Sequence, residues 1–447
     1  MESNSHNLKR TMKERHIMMI ALGGAIGAGI FKGSSSAINM AGPGVVLAYI
    51  LGGIIMFFVM QGLAEMAVRN LKARTFRDLI EPILGGYSGY FVGWTYWIFW
   101  VCAMAAEAIA AASFLQFWLP DQPIWVLSLI VSIFVTLLNL FSVKVFAETE
   151  YWFASIKIAV ILLFILFGLV VLLVPMGGHP AIGFTNLTAH GGFLPNGIFG
   201  IVQAMLVVVF SYGGTEMIGV TLAEAQNPEK VIPKAVRGTF VRILSFYVLP
   251  FLVIVSLIPW NEVNAAKESP FVTVFELMGI PFVGHFMNAV MLTAVLSAMN
   301  TGMYAASRML YTQALDGRAW RGFATLSRRH VPVNSILAST IAIYIGVLIS
   351  FFAGSDTFEY LMASLGYTIL IIWFFICLAH LNSRKHNTQL TGYYVKCFPY
   401  TTWVAILSIV SIFIGVVYTT PIWGTVATLG LYTIISLNYF RRRNKRA

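Results

Sequence analysis

The sequence predicts an all-α integral membrane protein with twelve transmembrane helices. Of its 447 residues, 58% are hydrophobic and only 11% are charged, and the mean hydropathy is +0.79. Soluble globular chains carry about 25% charged residues. Apolar runs recur along the whole chain, each near the roughly 20 residues that a helix needs to cross a hydrocarbon core about 30 Å thick. A transmembrane barrel is excluded because its strands alternate apolar and polar residues, whereas residues 158–175 are apolar on every side.

The twelve predicted spans are separated by polar connections. Spans 1 to 12 cover residues 17–39, 43–68, 86–116, 124–143, 150–175, 197–223, 237–259, 282–312, 335–352, 358–381, 400–418 and 421–440. If the N-terminus is cytoplasmic, all but four of the 29 Lys and Arg lie in the tails, in the loops after even-numbered spans or, for Arg237 and Arg308, near the ends of spans that border those loops. The four exceptions are Lys32, Lys157, Arg242 and Lys267. This asymmetry follows the positive-inside rule and predicts that both termini are cytoplasmic.

The basic charge is explained by this topology. The formal net charge is +11, which could also suggest nucleic acid or other acidic partners. Because the basic residues lie on one side, we interpret the runs at 328–329 and 441–446 as orientation signals rather than binding patches. We expect no nucleic-acid partner and no obligatory protein partner.

The N-terminus and the cysteines indicate neither processing nor metal chemistry. Residues 1–16 are polar and contain no apolar core ending in a small-residue cleavage site, so we expect no removable signal peptide. Cys102, Cys377 and Cys397 lack metal-ligand spacing, and the eight His form no HExxH pair. We therefore expect no disulfide, metal or cofactor.

Two spans are interrupted by glycine. Span 1 carries Gly23, Gly24, Gly27, Gly29 and Gly33 within eleven residues. Span 6 has a similar interruption at residues 210–215, followed by another glycine at position 219. Small-residue packing seams give similar patterns in membrane helices. The two interrupted spans are five apart, however, so they start from opposite faces of the membrane, as expected of inverted repeats around a central site.

Unwound backbone in the membrane must find hydrogen-bond partners, since each unsatisfied group costs several kcal/mol in hydrocarbon. A bound zwitterion can supply them. The predicted carboxylate-binding N–H groups are those of Gly27, Ala28 and Gly29, at the positive end of a half-helix. The predicted amine-binding groups are at Ala25, Ile26, Phe210, Ser211 and Gly213. A dinucleotide site is excluded because no strand precedes these glycines and the GxGxxG spacing is absent.

The chain resembles the amino acid-polyamine-organocation superfamily, and within it the bacterial amino acid transporter family of permeases. Seven ordered motifs carry the resemblance: GGAIGAGIFKG at 23–33, AGPGVVLAY at 41–49, EYWFASIKI at 150–158, FSYGGTE at 210–216, EAQNPEKVIPKAV at 224–236, SAMNTGMYAASRMLY at 297–311 and VPVN at 331–334. Ala28 departs from the family pattern, in which Thr or Ser is frequent, so a side-chain contact to a substrate carboxylate is not expected there.

The resemblance implies a leucine-transporter-type fold of two inverted five-helix repeats plus two peripheral helices. On this basis residues 1–16 form a cytoplasmic tail, 17–175 the first repeat and 197–381 the second, inverted repeat. Residues 400–440 form peripheral helices 11 and 12, and residues 441–447 a basic cytoplasmic tail.

Lys157 is the candidate for proton coupling. It lies eight residues into span 5, roughly 12 Å deep at 1.5 Å per residue. A Lys one turn from a helix end would extend its ammonium to the surface, but a deeper one beside a cavity favours function. The resemblance implies that Lys157 occupies the place where sodium-coupled relatives bind sodium, which indicates proton coupling.

Several other polar residues are candidates of lower rank. Glu107 in span 3 could meet the substrate amine, line the cavity or hold a proton, and a structural hydrogen bond is an equal alternative. Glu216 and Glu224 are expected to tie span 6 to nearby basic residues. Phe210 is a candidate gate, with core packing as its alternative. Ser297, Asn300 and Thr301 could face the coupling site or simply join helices.

These features predict a permease of the bacterial inner membrane that imports an amino acid with protons by alternating access. The substrate is expected to be neutral, because spans 8 and 10 offer no acidic residue in their central stretches. The partners are then a free amino acid, protons and the lipid bilayer, with the proton gradient as the energy source. An obligate exchanger and a cationic amino acid importer stay open as alternatives. An enzyme is disfavoured because we find no HExxH, nucleophile elbow or paired carboxylates, and a channel does not need inverted repeats.

Overall fold

Helices make up all the regular secondary structure that the structure describes. The computed structural model describes residues 12–141, 143–175, 181–221, 224–263, 269–277, 282–353, 357–386, 392–419 and 422–444. The first eight helices are α1 Glu14–Ala25, α2 Ala28–Phe31, α3 Ser34–Ala41, α4 Val45–Arg69, α5 Arg77–Leu84, α6 Gly86–Leu115, α7 Ile124–Leu140 and α8 Val143–Leu173. They are followed by α9 Asn186–Ala189, α10 Gly197–Tyr212, α11 Pro228–Leu257, α12 Pro270–Leu277, α13 Val283–Leu315, α14 Val333–Ala353, α15 Thr357–His386, α16 Tyr400–Thr419 and α17 Ile422–Asn444. Short 3₁₀ turns occur at Gly42–Gly44, Thr215–Gly219, Trp260–Glu262 and Arg321–Ala324.

Each predicted span coincides with helix in the described residues. Span 1 consists of α1, α2 and α3, and span 6 consists of α10 and the 3₁₀ turn Thr215–Gly219. The other ten spans each match one long helix, and α5, α9 and α12 are short helices that we did not predict. Residues 1–11, Lys267 and residues 445–447, which figure in the predicted topology, lie outside the described residues.

The helices have the length and composition of membrane spans. Seven stretches qualify among the described residues: Ser34–Arg69, Gly86–Leu115, Lys144–Leu173, Gly197–Gly219, Gly284–Leu315, Ser364–Lys385 and Tyr400–Tyr418. Three shorter apolar helices are Ile124–Leu140, Leu244–Leu257 and Val333–Ile349. The prediction of an all-helical membrane protein is thus confirmed.

The outer surface of the bundle is apolar. On α14, Ile341, Ile345 and Ile349 are exposed at four-residue spacing, which places them on one helix face. Leu162 and Leu166 form a similar exposed pair on α8. Exposing such continuous apolar faces to water is unfavourable, whereas lipid tails pack against them.

The centre of the bundle is formed by α6 and α13, which pack along much of their length. Gly302 of α13 permits this approach, because a Cβ there would lie only 2.6 Å from the Trp100 ring and 2.8 Å from Met104 Cγ. Interhelical contacts of this kind are driven by close packing of small residues against large ones. α1 packs against α13, whereas α10 packs against α3, α4 and α15.

Candidate functional site

Span 1 is broken between Ala25 and Ala28. Ile26 is extended (φ −87°, ψ 92°) and Gly27 has φ −134° and ψ −149°, so the backbone leaves the helix for two residues. All four residues are buried. The break predicted from the glycines is therefore present, at the predicted position.

The Glu107 carboxylate lies against the start of α2. The Ala28 N–H donates to both Glu107 carboxylate oxygens, each at 3.0 Å. A Cβ on Gly27 would lie 2.5 Å from Glu107 Oε1 and 2.9 Å from Ala298 Cβ, so a side chain at this position would push against the Glu107 carboxylate and α13. Glu107 thus contacts one of the N–H groups that we predicted for the substrate carboxylate.

Lys157 of α8 lies on the other side of the break. Its side chain is fully buried, and Nζ donates to the carbonyl oxygens of Gly23 at 2.6 Å and Ile26 at 2.7 Å. The ammonium therefore satisfies backbone oxygens that the break releases. Lys157 reaches the interrupted part of span 1, as its depth predicts.

Span 6 is broken at the pair Gly213 and Gly214. α10 ends at Tyr212, and Gly214 has φ +101°, a left-handed conformation that favours glycine. A Cβ on Gly214 would lie 2.7 Å from the Gly24 backbone. The two interruptions are therefore in direct contact, backbone against backbone.

Tyr247 of α11 joins the two breaks. Its hydroxyl oxygen lies 2.6 Å from the carbonyl oxygens of both Ala25 and Ser211, and it can donate its proton to either. Three of the five carbonyls predicted to bind a substrate amine, those of Ala25, Ile26 and Ser211, thus lie within hydrogen-bond distance of side-chain donors, since Ile26 O accepts from Lys157. The Phe210 carbonyl accepts from the Gly213 N–H at 2.9 Å.

Phe210 packs beside the same break. Its Cδ1 would lie 3.3 Å from a Cβ on Gly29, and its side chain is buried. This position fits a gate and core packing equally, so the gate stays a prediction.

The two acidic residues after α10 behave differently from each other. Glu224 pairs with Arg308 at 3.0 Å, as predicted. Glu216 instead accepts from the Gly214 N–H at 3.0 Å and the Tyr96 hydroxyl at 3.1 Å. The prediction that Glu216 ties to a basic residue is therefore wrong within the described residues, because the break leaves a nearby N–H group that its carboxylate satisfies.

Sequence reasoning missed Glu150 of α8. It is fully buried, and its carboxylate accepts from Ser297 Oγ at 2.5 Å and from Asn300 Nδ2 at 3.1 Å. Its Oε1 would lie 1.9 Å from a Cβ on Gly23. The Asn300 side chain in turn accepts from Asn139 Nδ2 at 2.8 Å. Glu150 precedes Lys157 by seven residues, which places both side chains on one face of α8. This spacing was the signal in the sequence that could have identified Glu150.

Ser297 and Asn300 therefore join α13 to α8 through Glu150. Thr301 lies nearby, with its Cγ2 3.0 Å from a Cβ on Gly24. Among the described residues, no group of three or more His, Cys, Asp or Glu is placed to hold a metal ion.

The two interrupted helices, with buried charges at the break, define a membrane transporter of the permease class. The family model described as amino acid permease matches residues 16–440. The chain therefore belongs to the amino acid permease family, within the amino acid-polyamine-organocation superfamily.

Its relatives are bacterial permeases. An uncharacterized amino acid permease of Bacillus subtilis, YvbW, is 61% identical over 100% of both chains. The gamma-aminobutyric acid permease of Bacillus subtilis is 38% identical, covering 99% of this chain and 96% of its own. The aromatic amino acid transport protein AroP of Escherichia coli K12 is 39% identical, covering 96% and 97%. The chain is accordingly an amino acid transporter of a bacterial membrane.

Proposed function

We propose that this permease imports a neutral amino acid together with protons by alternating access across the bacterial inner membrane. The observation that carries the proposal is the pair of charges at the break in span 1. The Glu107 carboxylate accepts a hydrogen bond from the Ala28 N–H, and Lys157 Nζ donates to the carbonyl oxygens of Gly23 and Ile26. Both charges thus contact the backbone that binds substrate in the proposed mechanism.

Substrate binding displaces Glu107 from the Ala28 N–H. A zwitterion that places its carboxylate at this N–H brings a second negative charge beside the buried Glu107 carboxylate. Like charges at such a distance in a low-dielectric site favour protonation of one of them. Glu107 therefore takes up a proton from the outer side as the substrate arrives, which couples binding to protonation.

Lys157 controls the position of α1. While charged, its ammonium holds the carbonyl oxygens on both sides of Ala25. Loss of the proton leaves a neutral amine, whose hydrogen bonds to carbonyl oxygens are weaker than charge-assisted ones. The inner half of span 1 is then released and can move away from α8, which opens the cytoplasmic side.

Ion pairs hold the cytoplasmic ends together in the described conformation. Arg15 and Glu148 lie 2.7 Å apart, joining α1 to α8, and Lys234 lies 2.8 Å from Glu14. The Met12 N–H donates to the Glu224 carbonyl at 3.0 Å. These contacts break in the inward-open state of the proposed cycle.

The proposed architecture is the leucine-transporter type, with twelve spans and cytoplasmic termini. Residues 17–175 and 197–381 are the inverted repeats, and residues 400–440 are peripheral. Breaks at corresponding positions of the two repeats support this arrangement. The location of the basic residues supports the orientation.

The proposal of a neutral substrate is supported by the chemistry at the break. Once Glu107 is protonated, as the proposed mechanism has it, the Lys157 ammonium balances the Glu150 carboxylate, so the region needs no further cation from the substrate. Relatives are named for aromatic amino acids and for gamma-aminobutyric acid, which are all neutral zwitterions. We therefore propose the neutral amino acids, aromatic ones included, as the substrate class.

A thermal-shift screen identifies the substrate. Detergent-purified protein is heated with each of the twenty amino acids and gamma-aminobutyric acid, and a binder raises the melting temperature. We expect neutral amino acids alone to do so. A shift with Lys or Arg only would overturn the neutral class in favour of a cationic importer.

Glu107→Gln tests the coupling of binding to protonation. Gln keeps an oxygen for the Ala28 N–H but cannot take up a proton. We expect binding of the identified substrate to lose its dependence on pH between pH 5 and 8, while the wild type binds more tightly at the acid end. Equal pH dependence in both proteins contradicts a proton-binding role for Glu107.

A further inference from the structure

A cavity lies at the predicted cytoplasmic ends of α6, α13 and α17, apart from the break in span 1. Its volume is about 380 Å³. Arg318, Arg442 and Arg443 line it together with Tyr90, Tyr439 and two glycines. The transport mechanism uses none of these residues.

The cavity carries an excess of positive charge. Arg318 pairs with Glu81, but its Nη1 is buried and has no hydrogen-bond partner among the described residues. Arg442 donates from Nη1 to the Arg318 carbonyl at 2.6 Å, and no carboxylate pairs with it within the described ranges. The exposed side chain of Arg443 makes no hydrogen bond or ion pair in the part of the chain that the structure describes. Three guanidinium groups thus share one carboxylate.

The walls of the cavity continue into the apolar surface of the bundle. The Tyr439 ring lies 5.4 Å from the Tyr90 ring, between centroids. On the same turns of α17, Leu437 is 58% exposed and Phe440 is 49% exposed. Tyrosines that separate arginines from exposed apolar side chains are typical of the membrane-water interface.

We infer that this cavity binds the phosphate of an anionic phospholipid headgroup from the cytoplasmic leaflet. Arginine donates two parallel hydrogen bonds to phosphate oxygens, and the tyrosine hydroxyls add further donors. The acyl chains of the lipid lie along Leu437 and Phe440. Basic pockets between helices on the cytoplasmic side suit such headgroups. Arg442 and Arg443 thus have a binding role beyond the orientation signal assigned to them from the sequence.

The bound lipid fastens α17 to the central helices. Arg318 follows α13, Tyr90 belongs to α6 and the two unpaired arginines belong to α17. A phosphate shared by these residues connects all three helices, so binding raises the stability of the folded protein.

Thermal shift of the full-length, detergent-purified protein tests this site. Mixed micelles of dioleoylphosphatidylglycerol or dioleoylphosphatidylcholine are added, and inorganic phosphate and glycerol 3-phosphate serve as soluble anions. We expect phosphatidylglycerol to raise the melting temperature by several degrees and phosphatidylcholine to have little effect. An equal shift with the soluble anions means that the site takes free phosphate and overturns the lipid assignment.

The variants locate the effect. Arg443→Gln removes a cation without breaking the Arg442 contact to Arg318, and the pair Arg442→Gln/Arg443→Gln removes two. The control, Arg328→Gln/Arg329→Gln, removes the same charge from the loop after α13, outside the cavity. We expect the lipid shift to shrink in the single variant, vanish in the double variant and persist in the control. Equal shifts in all four proteins overturn the proposal.

Discussion

At the scale of single residues, the site depends on glycines that let other groups approach the backbone. Gly27 faces Glu107 and Ala298, Gly23 faces Glu150, and Gly214 faces Gly24. A methyl group at any of these positions would overlap its neighbour. These contacts favour glycine at all three positions, and at Gly214 the left-handed φ of +101° favours it as well.

Gly27→Val is expected to abolish transport. A Cβ there already lies 2.5 Å from Glu107 Oε1, and the larger Val side chain would push Glu107 away from the Ala28 N–H. Displacements of about 1 Å at a reacting or binding centre cost on the order of 100-fold in activity. Radiolabelled uptake into proteoliposomes measures the loss.

Gly430→Val is the matched control for this change. Nothing lies within 4 Å of a Cβ at Gly430, so the added side chain meets open space. We expect uptake close to that of the wild type. Uptake by Gly27→Val equal to that of the control would show that the break tolerates a side chain.

The residues of the site were only partly predictable from the sequence. The glycines predicted the break at Gly27, because glycine is favoured where the backbone leaves a helix. The depth of Lys157 in span 5 predicted its position beside that break. Tyr247 gave no comparable signal, and Glu150 gave only its spacing of seven from Lys157, because a polar residue in an apolar helix does not reveal its partner. Tyr247 bonds across 222 residues of sequence to Ala25.

At the scale of elements, charged groups hold the start of α1 against α8. His16 at the start of α1 lies 3.3 Å from Glu148 and accepts from Arg15 Nε at 3.1 Å. Burial lowers the pKa of His16 below its ordinary value of 6.5, and the nearby Glu148 carboxylate opposes this only in part. The surroundings of His16 at the start of α1 therefore favour its neutral form.

Stability of this end should fall in mild acid. Because the folded-state pKa of His16 is depressed, its contribution is fully present above pH 6.5 and is lost as the pH falls from 6.5 toward the lower folded value. We expect the wild type to lose melting temperature from pH 7 to pH 5 more steeply than His16→Asn, which cannot be protonated. Parallel pH profiles of the two proteins would exclude His16 as a source of the dependence.

The Arg308 and Glu224 pair links α13 to the segment after α10. The two charges lie 3.0 Å apart and are almost completely buried. Removing one partner of such a pair costs about 3–5 kcal/mol, because the other charge is left buried and unpaired. We expect Arg308→Leu to lower the melting temperature strongly.

The double variant Arg308→Leu/Glu224→Leu completes the thermodynamic cycle. It leaves no unpaired charge, so it should lose less stability than the two single variants together. Additive losses would mean that the two side chains do not interact.

The helices themselves were more predictable than the short connections. Long apolar runs fixed the positions of α6, α8 and α13, since hydrophobicity over about 20 residues is a strong signal. The short helix α5 was not predicted. Its eight residues include Pro82 and three charged side chains, and its position depends on contacts such as the ion pair of Arg77 with Asp316.

At the scale of the whole molecule, buried polar side chains of α6, α8 and α11 bond to the backbone of the two interrupted spans. α6 supplies Glu107, α8 supplies Lys157 and Glu150, and α11 supplies Tyr247. Each of these groups bonds to or abuts the backbone of span 1. A change in the protonation of Glu107 or Lys157 would therefore alter the bonds that hold span 1 against α6 and α8. The proposed mechanism depends on this coupling.

Accumulation driven by a pH gradient in proteoliposomes tests this claim most directly. Liposomes empty of amino acid, with an acidic exterior, receive wild-type protein or Lys157→Ala, and exchange in preloaded liposomes reports whether each protein still binds and moves substrate. We expect the wild type to accumulate substrate, and Lys157→Ala to exchange it without accumulating it. Accumulation by Lys157→Ala equal to that of the wild type would contradict the role of Lys157, and no accumulation by the wild type would identify an obligate exchanger.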